Sequence, residues 1–189
     1  MVTEGGLLGD LAVFALPMRT RFRGIDVREG VLLRGAAGWG EFSPFWDYDV
    51  LECVPWLQAA QEAADVGWPA PRRTSIPVNV TVPAVDPEPA ADIVRASAGC
   101  RTAKVKVGEP GQSEGEDVAR VEAVRDALGP GGKVRVDANG AWEVDVAVRM
   151  TRLLDVAAGG LEYVEQPCRT VEELAAVRRR VDVPVADDE

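Results

Sequence analysis

The chain has 189 residues, 47% hydrophobic and 28% charged, a balance typical of a soluble globular protein long enough to bury a core. Its 31 acidic residues outnumber the 21 basic ones, and the net charge of −10 disfavours broad contact with nucleic acid or an anionic membrane. The expected partners are small molecules and metal ions. There is no histidine, so proton transfer falls to lysine, carboxylate or tyrosine.

No apolar run approaches membrane-spanning length, and the opening MVTEGGLLGDLAVF lacks the basic flank of a secretion signal, so a cytoplasmic protein is expected. Cys53, Cys100 and Cys168 are widely separated, with no metal-ligand spacing, and read as buried thiols.

In chain order, DLAVFALPM and GIDVREGVLLRGAAGWGEFSPF read as strands joined by turns. PWLQAAQEAADVG follows as a helix with Pro55 in its first turn and Gly67 at its end. Breakers cluster in WPAPRRTS, which divides a small α+β unit, residues 1–72, from a second domain, residues 73–189. Beyond it strand and helix alternate: IPVNVTV, PEPAADIVRASAG, TAKVKVG, SEGEDVARVEAVRDALG, KVRVDANG, AWEVDVAVRMTRLLDVAAGG, LEYVEQP, TVEELAAVRRRV and VPVADDE. Ser113 with Glu116 and Thr170 with Glu173 fit capping boxes. Val118, Val121, Val124 and Leu128 form one apolar stripe, and Val146, Met150, Leu153 and Leu154 another. Such stripes need a parallel sheet to cover, either an open doubly wound sheet or a closed barrel, and periodicity leaves both open.

In either architecture the carboxyl ends of the strands form the functional face. Four successive strands end in groups able to meet there: Lys104 and Lys106, Asp137 with Asn139, Glu165, and the pair Asp187 and Asp188. The two-residue period puts both lysines on one face, and puts Asp137 and Asn139 opposite Val134 and Val136. Taken singly, each motif has a bland reading. Paired lysines protect an edge strand, VDANG is a strand running into a turn, VEQP ends a strand at a proline, and ADDE is a solvated loop. Jointly these readings lose ground, because unpaired charges gathered at one place are costly without a purpose. Oxygen ligands from separate strands make a hard site suited to Mg²⁺, or to Mn²⁺ in its place.

The order KVK, VDANGAW, VEQP, VADDE resembles the enolase superfamily, and within it the muconate-lactonizing subgroup, in which a capping domain precedes a modified (β/α) barrel. RTRFRGIDVREGVLLRG and GWGEFSPF look most like the capping sequences of the dehydrating members that serve menaquinone synthesis in actinobacteria. The resemblance implies that Asp137, Glu165 and Asp188 ligate the metal, with Asp188 taken over Asp187 because the superfamily ligand directly precedes the glutamate of its DE pair. It makes Lys106 the acid/base and Lys104 its electrostatic neighbour; lysine bases working with Mg²⁺ are the superfamily's established pattern. Asn139 then stands at the substrate side, and Arg19, Arg21 and Ser43, in two capping-domain loops, are expected to contact an anionic substrate.

The implied chemistry is removal of the proton beside the carboxylate of a cyclohexadiene carboxylate, followed by loss of its ring hydroxyl. N-acylamino acid racemisation, dipeptide epimerisation and a non-catalytic metal-binding role are the alternatives. The last strand read from the sequence is the fifth of an expected seven or eight, so the resemblance implies a barrel truncated at about that point. A second active-site lysine would lie beyond it, and these residues alone are expected to be inactive. Oligomeric state is not legible.

Overall fold

The computed structural model describes residues 11–22 and 24–188. Two compact units divide the chain, residues 1–75 and 76–189. The first holds an antiparallel sheet in the order β1 (Leu11–Phe22), β2 (Ile25–Arg34), β3 (Trp39–Phe42), followed by α1 (Val50–Asp65). Helix α1 starts five residues before the expected Pro55. Asp49 accepts hydrogen bonds from the Leu51 and Glu52 backbone N–H groups at 2.7 and 2.9 Å, while the Glu52 carboxylate accepts from the Asp49 N–H at 2.7 Å. This reciprocal cap fixes the start, so Pro55 falls inside the helix. Gly67 ends it with a positive φ of 81°, its N–H donating to the Glu62 carbonyl. Ala60 and Ala64 are buried where the helix lies against β3. The approach needs Gly40, since a Cβ there would fall 1.8 Å from the Ala60 carbonyl oxygen.

Five parallel strands form the sheet of the second unit: β4 (Val80–Val82), β5 (Thr102–Lys106), β6 (Lys133–Asp137), β7 (Leu161–Glu165) and β8 (Val185–Ala186). Their order in space is their order in sequence. A doubly wound sheet reverses direction at a switch point, whereas a (β/α) barrel adds each strand beside the last, so the observed order is that of a barrel. Strand β4 is only three residues, because Pro83 offers no N–H to extend the ladder.

Between the strands run α2 (Pro87–Arg95), α3 (Glu114–Leu128), α4 (Val144–Ala158) and α5 (Val171–Arg178). Ser113 with Glu116 and Thr170 with Glu173 form the expected capping boxes on α3 and α5. Val82, Ala103, Val105, Val134, Val136 and Val164 point to the helix side and pack against Val121, Val124, Met150 and Leu154 in one core. The α4 stripe is corrected at one position. Leu153 is 43% exposed, and Ala147, Thr151 and Ala158 join Met150 and Leu154 on the buried face. With the apolar side chains committed to the helices, the alternate residues Lys104, Lys106, Arg135, Asp137, Tyr163 and Glu165 stand on the opposite face. Among the described residues, no helix is long and apolar enough to cross a membrane.

Candidate active site at the strand ends

Register brings the polar face into one row: Lys106 lies beside Asp137 and Asp137 beside Glu165, while Glu165 pairs with Ala186 on β8. The Lys106 ammonium donates to Asp137 Oδ2 at 2.5 Å and to Asn139 Oδ1 at 2.6 Å. Lys104 spans the next gap, with its Nζ 2.5 Å from Glu165 Oε1 and 3.0 Å from Asp137 Oδ2. Asp137 and Glu165 are buried, at 1% and 6% exposure. Lysine and carboxylate side chains therefore interlock at the carboxyl ends of β5, β6 and β7.

Burial opposes ionisation of Asp137, but hydrogen bonds and charge from Lys106 and Lys104 outweigh it and hold the carboxyl below its usual range. Glu165 goes the other way. Its burial and the charges of Asp137 and Asp188 push it up, against the hydrogen bond from Lys104. For Lys104, burial is overcome by hydrogen bonds and charge from Glu165 and Asp137, so it is held above the usual lysine range. Asp137 draws on both lysines, whereas Glu165, bonded to Lys104, is still held up by burial and by its carboxylate neighbours.

The turn after β6 is drawn in by its own side chains. The Asn139 N–H donates to Asp137 Oδ1 at 3.0 Å, with Asn139 in the left-handed region at φ 45°. Gln166, fully buried and also left-handed at φ 40°, ties three strand ends together. Its backbone accepts from the Gly140 N–H and donates to the Ala186 carbonyl. Its side chain accepts from the Asp188 N–H at 2.8 Å and donates to the Cys168 carbonyl at 3.0 Å. Sequence reasoning passed over this glutamine; the signal was a long amide directly between a buried carboxylate and a proline.

Asp188 and Asp187 diverge. Asp187 lines a groove with Val171, Leu174 and Arg178 of α5, while Asp188 lies close enough to Glu165 to raise it. Among the described residues, no three His, Cys, Asp or Glu side chains stand close enough together to ligate one ion. The donor set still suits a hard divalent cation: all its atoms are oxygen, and Asp137 and Glu165 are buried on paired positions.

A second polar layer below this row was also missed. Arg135 donates to Glu162 at 2.6 Å and to Asn79 at 3.1 Å, and its guanidinium lies over the Tyr163 ring at 4.9 Å. Glu162 is the extra residue of an irregularity between Val134 and Arg135 in the β6–β7 register, which turns it toward Arg135.

In the first unit, Arg19 and Arg21 lie on β1 and not in a loop, within a stretch where the β1–β2 register breaks between Pro17 and Phe22. Arg23 of the same motif falls outside the described residues. Arg19 and Arg21 are exposed, and Arg21 donates to the Gly24 carbonyl at 3.1 Å. Ser43 donates to Glu41 at 2.6 Å and receives Arg28, which also bonds the Ser43 carbonyl. All three cysteines are free thiols. Only Cys168 is fully buried, its thiol pushed up to about 11 by burial, whereas Cys53 and Cys100 are half-buried, against expectation.

Comparison with known proteins gives the family. An o-succinylbenzoate synthase from Thermobifida fusca is 71% identical over 176 residues, 93% of this chain and 55% of the relative. One from Mycolicibacterium smegmatis is 56% identical over 183 residues, 97% of this chain and 56% of the relative. The chain thus spans about half the length of the curated relatives it matches. Among solved structures, an L-Ala-D/L-Glu epimerase from Bacillus subtilis superposes with a TM-score of 0.75 at 23% identity, covering 94% of this chain and 66% of that one. An o-succinylbenzoate synthase from Thermosynechococcus elongatus, complexed with Mg in its active site, gives 0.63 at 24% identity, covering 94% and 67%. These two show a shared fold. A family described as enolase N-terminal domain-like matches residues 13–64, and one described as enolase C-terminal domain-like matches residues 88–189, more than half of the chain. The chain belongs to the enolase superfamily.

Proposed function

We propose that the protein to which this chain belongs is an o-succinylbenzoate synthase. It would convert 2-succinyl-6-hydroxy-2,4-cyclohexadiene-1-carboxylate into 2-succinylbenzoate and water for menaquinone synthesis, in the cytoplasm. The observation that carries the reading is the interlocked row Lys104, Lys106, Asp137 and Glu165, in a chain 71% identical to a protein of that name. A pure metal site has no need of two cations among its carboxylates.

In this reading Asp137, Glu165 and Asp188 hold Mg²⁺, with Mn²⁺ as a substitute. When bound, the ion supplies Lewis-acid charge beside the substrate carboxylate. Lys106 takes the proton from the carbon bearing that carboxylate. The released electron pair forms the ring double bond as the carbon–oxygen bond to the ring hydroxyl breaks, and Lys106 returns its proton to the leaving hydroxide as water. Lys104 keeps Glu165 and Asp137 in place from the side. Asn139, which accepts from Lys106 at 2.6 Å, orients its amino group beside the substrate.

The test uses the full-length protein. Formation of 2-succinylbenzoate should require a divalent cation and vanish in Asp137→Asn and Glu165→Gln variants that remain folded. N-succinyl amino acids and dipeptides serve as competing substrates. Full turnover in excess chelator, or activity on the amino-acid derivatives alone, would overturn the proposal.

A further inference from the structure

Behind Lys106, on the helix side of the sheet, lies a charged pair that the proposed chemistry does not use. Arg120 and Asp117 of α3 are 1% and 3% exposed. They are bonded to each other at 2.7 Å. Charges so fully removed from water are seldom kept for stability alone, since a packed apolar pair often serves as well.

The partners of this pair are specific. Arg120 Nη1 donates to the Lys106 carbonyl at 3.0 Å, and Nε donates to the Val85 carbonyl at 2.6 Å. Its other amino group reaches Gln112, whose amide donates to the Ala84 carbonyl at 3.0 Å. Asp117 accepts from the Gly108 N–H at 2.9 Å. The ladder explains why a side chain is needed. Strand β4 pairs with β5 only as far as Val82 with Val105, and no β4 residue pairs with Lys106. On the other side of the same peptide, the Val107 N–H donates to the Asp137 carbonyl at 3.0 Å. The peptide following Lys106 is thus held at both ends, by β6 and by Arg120, just before the chain turns at Gly108 with φ 71°.

We propose that Arg120 and Asp117 are positioning residues that fix the Lys106 peptide and so aim its amino group at the reacting carbon. This rests on the assignment of Lys106 as the base. A misplacement of about 1 Å at a reacting group can cost on the order of 100-fold in rate.

The test uses Arg120→Met, Arg120→Lys, Asp117→Asn and Lys106→Ala in the full-length protein. Each is followed by steady-state kinetics on the cyclohexadiene carboxylate, substrate α-proton exchange in deuterated water, and titration with Mg²⁺ alone. Arg120→Met should lower kcat and exchange together by about 10- to 100-fold per folded molecule. KM and Mg²⁺ affinity should stay within about twofold, because binding groups are left in place. Arg120→Lys should recover part of the loss, since an ammonium can still donate to the Lys106 carbonyl. A kcat within about twofold of the parent in folded Arg120→Met, or a loss confined to KM or Mg²⁺ binding, would overturn the proposal. Should Arg120→Met not fold, Asp117→Asn decides: it can still accept from Gly108 but leaves Arg120 without its counter-charge, and an unchanged kcat overturns positioning. Lys106→Ala separates the two claims. Retained exchange there removes the base assignment and this proposal with it, whereas lost exchange beside normal Arg120→Met kinetics removes the positioning role alone.

Discussion

Lys104 reaches from β5 past Asp137 on β6, at 3.0 Å, to Glu165 on β7, at 2.5 Å, so one ammonium bridges two buried carboxylates on neighbouring strands. Lys106, two residues on, bonds Asp137 and Asn139. The two lysines share Asp137, and each has a second partner, Glu165 for Lys104 and Asn139 for Lys106.

That division separates their roles by experiment. Lys106→Ala should abolish α-proton exchange in deuterated water, because losing a positioned base costs about 10²–10⁴-fold or more. Lys104→Ala should keep measurable exchange at a reduced rate, since it disturbs the carboxylates and leaves the base. Normal exchange in the first variant, or normal turnover in the second, would reverse the assignment.

The proposal that Arg19, Arg21 and Ser43 touch an anionic substrate is checked by single alanine variants and their KM values. Removing either guanidinium should raise KM by about 10-fold, matching roughly 1.5 kcal/mol for a charge-assisted hydrogen bond. Ser43 should have the smaller effect, because its hydroxyl is already engaged by Glu41 and Arg28. An unchanged KM in all three would withdraw them.

Stability in acid should depend on Glu162. Hydrogen bonds from Lys133 and Arg135 hold its carboxyl below the usual glutamate range. A folded value depressed below the unfolded one contributes stability above the ordinary range of about 4.3, and loses it as pH falls through the folded value. Thermal unfolding from neutral pH to about pH 3 should therefore show a steeper acid loss in the parent than in Glu162→Gln. Parallel curves would show that the bridge adds nothing.

Thr151 offers the opposite case. It is fully buried on α4, and its hydroxyl has no hydrogen-bond partner among the described residues. Burying an unsatisfied hydroxyl costs about 1–3 kcal/mol, so Thr151→Val should raise stability by about 1 kcal/mol. Denaturant unfolding would read this directly, and a destabilised variant would show that the hydroxyl has a partner in solution.

Much of this was legible because its causes are local. Alternation alone put Lys104 and Lys106 on one face and Val105 on the other, and the hydroxyl-to-glutamate spacing gave the starts of α3 and α5. The start of α1 was misjudged because Pro55 was given more weight than the Asp49 and Glu52 pair, although a reciprocal cap outranks a tolerated proline. Leu153 was placed in a stripe that fits the helical period only loosely, beside Leu154, and the sheet could accept only one of the two. Gln166, Arg120 and Asp117 act through backbone groups on other elements, at separations that no periodicity encodes. A hint remained, since Asp117 is in phase with Val121 and Val124 on the buried face of α3.

The parallel sheet also acts as a ruler. Neighbouring strands lie about 4.8 Å apart, so groups borne on paired positions inherit a spacing that the backbone sets. Lys106, Asp137 and Glu165 occupy successive graduations. What can vary is the reach of each side chain above its mark. Glu165→Asp would withdraw a carboxylate by about 1.5 Å, one carbon–carbon bond, pulling it off Lys104 while its strand stays put. Chemistry on such a frame changes by altering side-chain length and identity one mark at a time, and the spacing between marks is carried unchanged from one variant to the next.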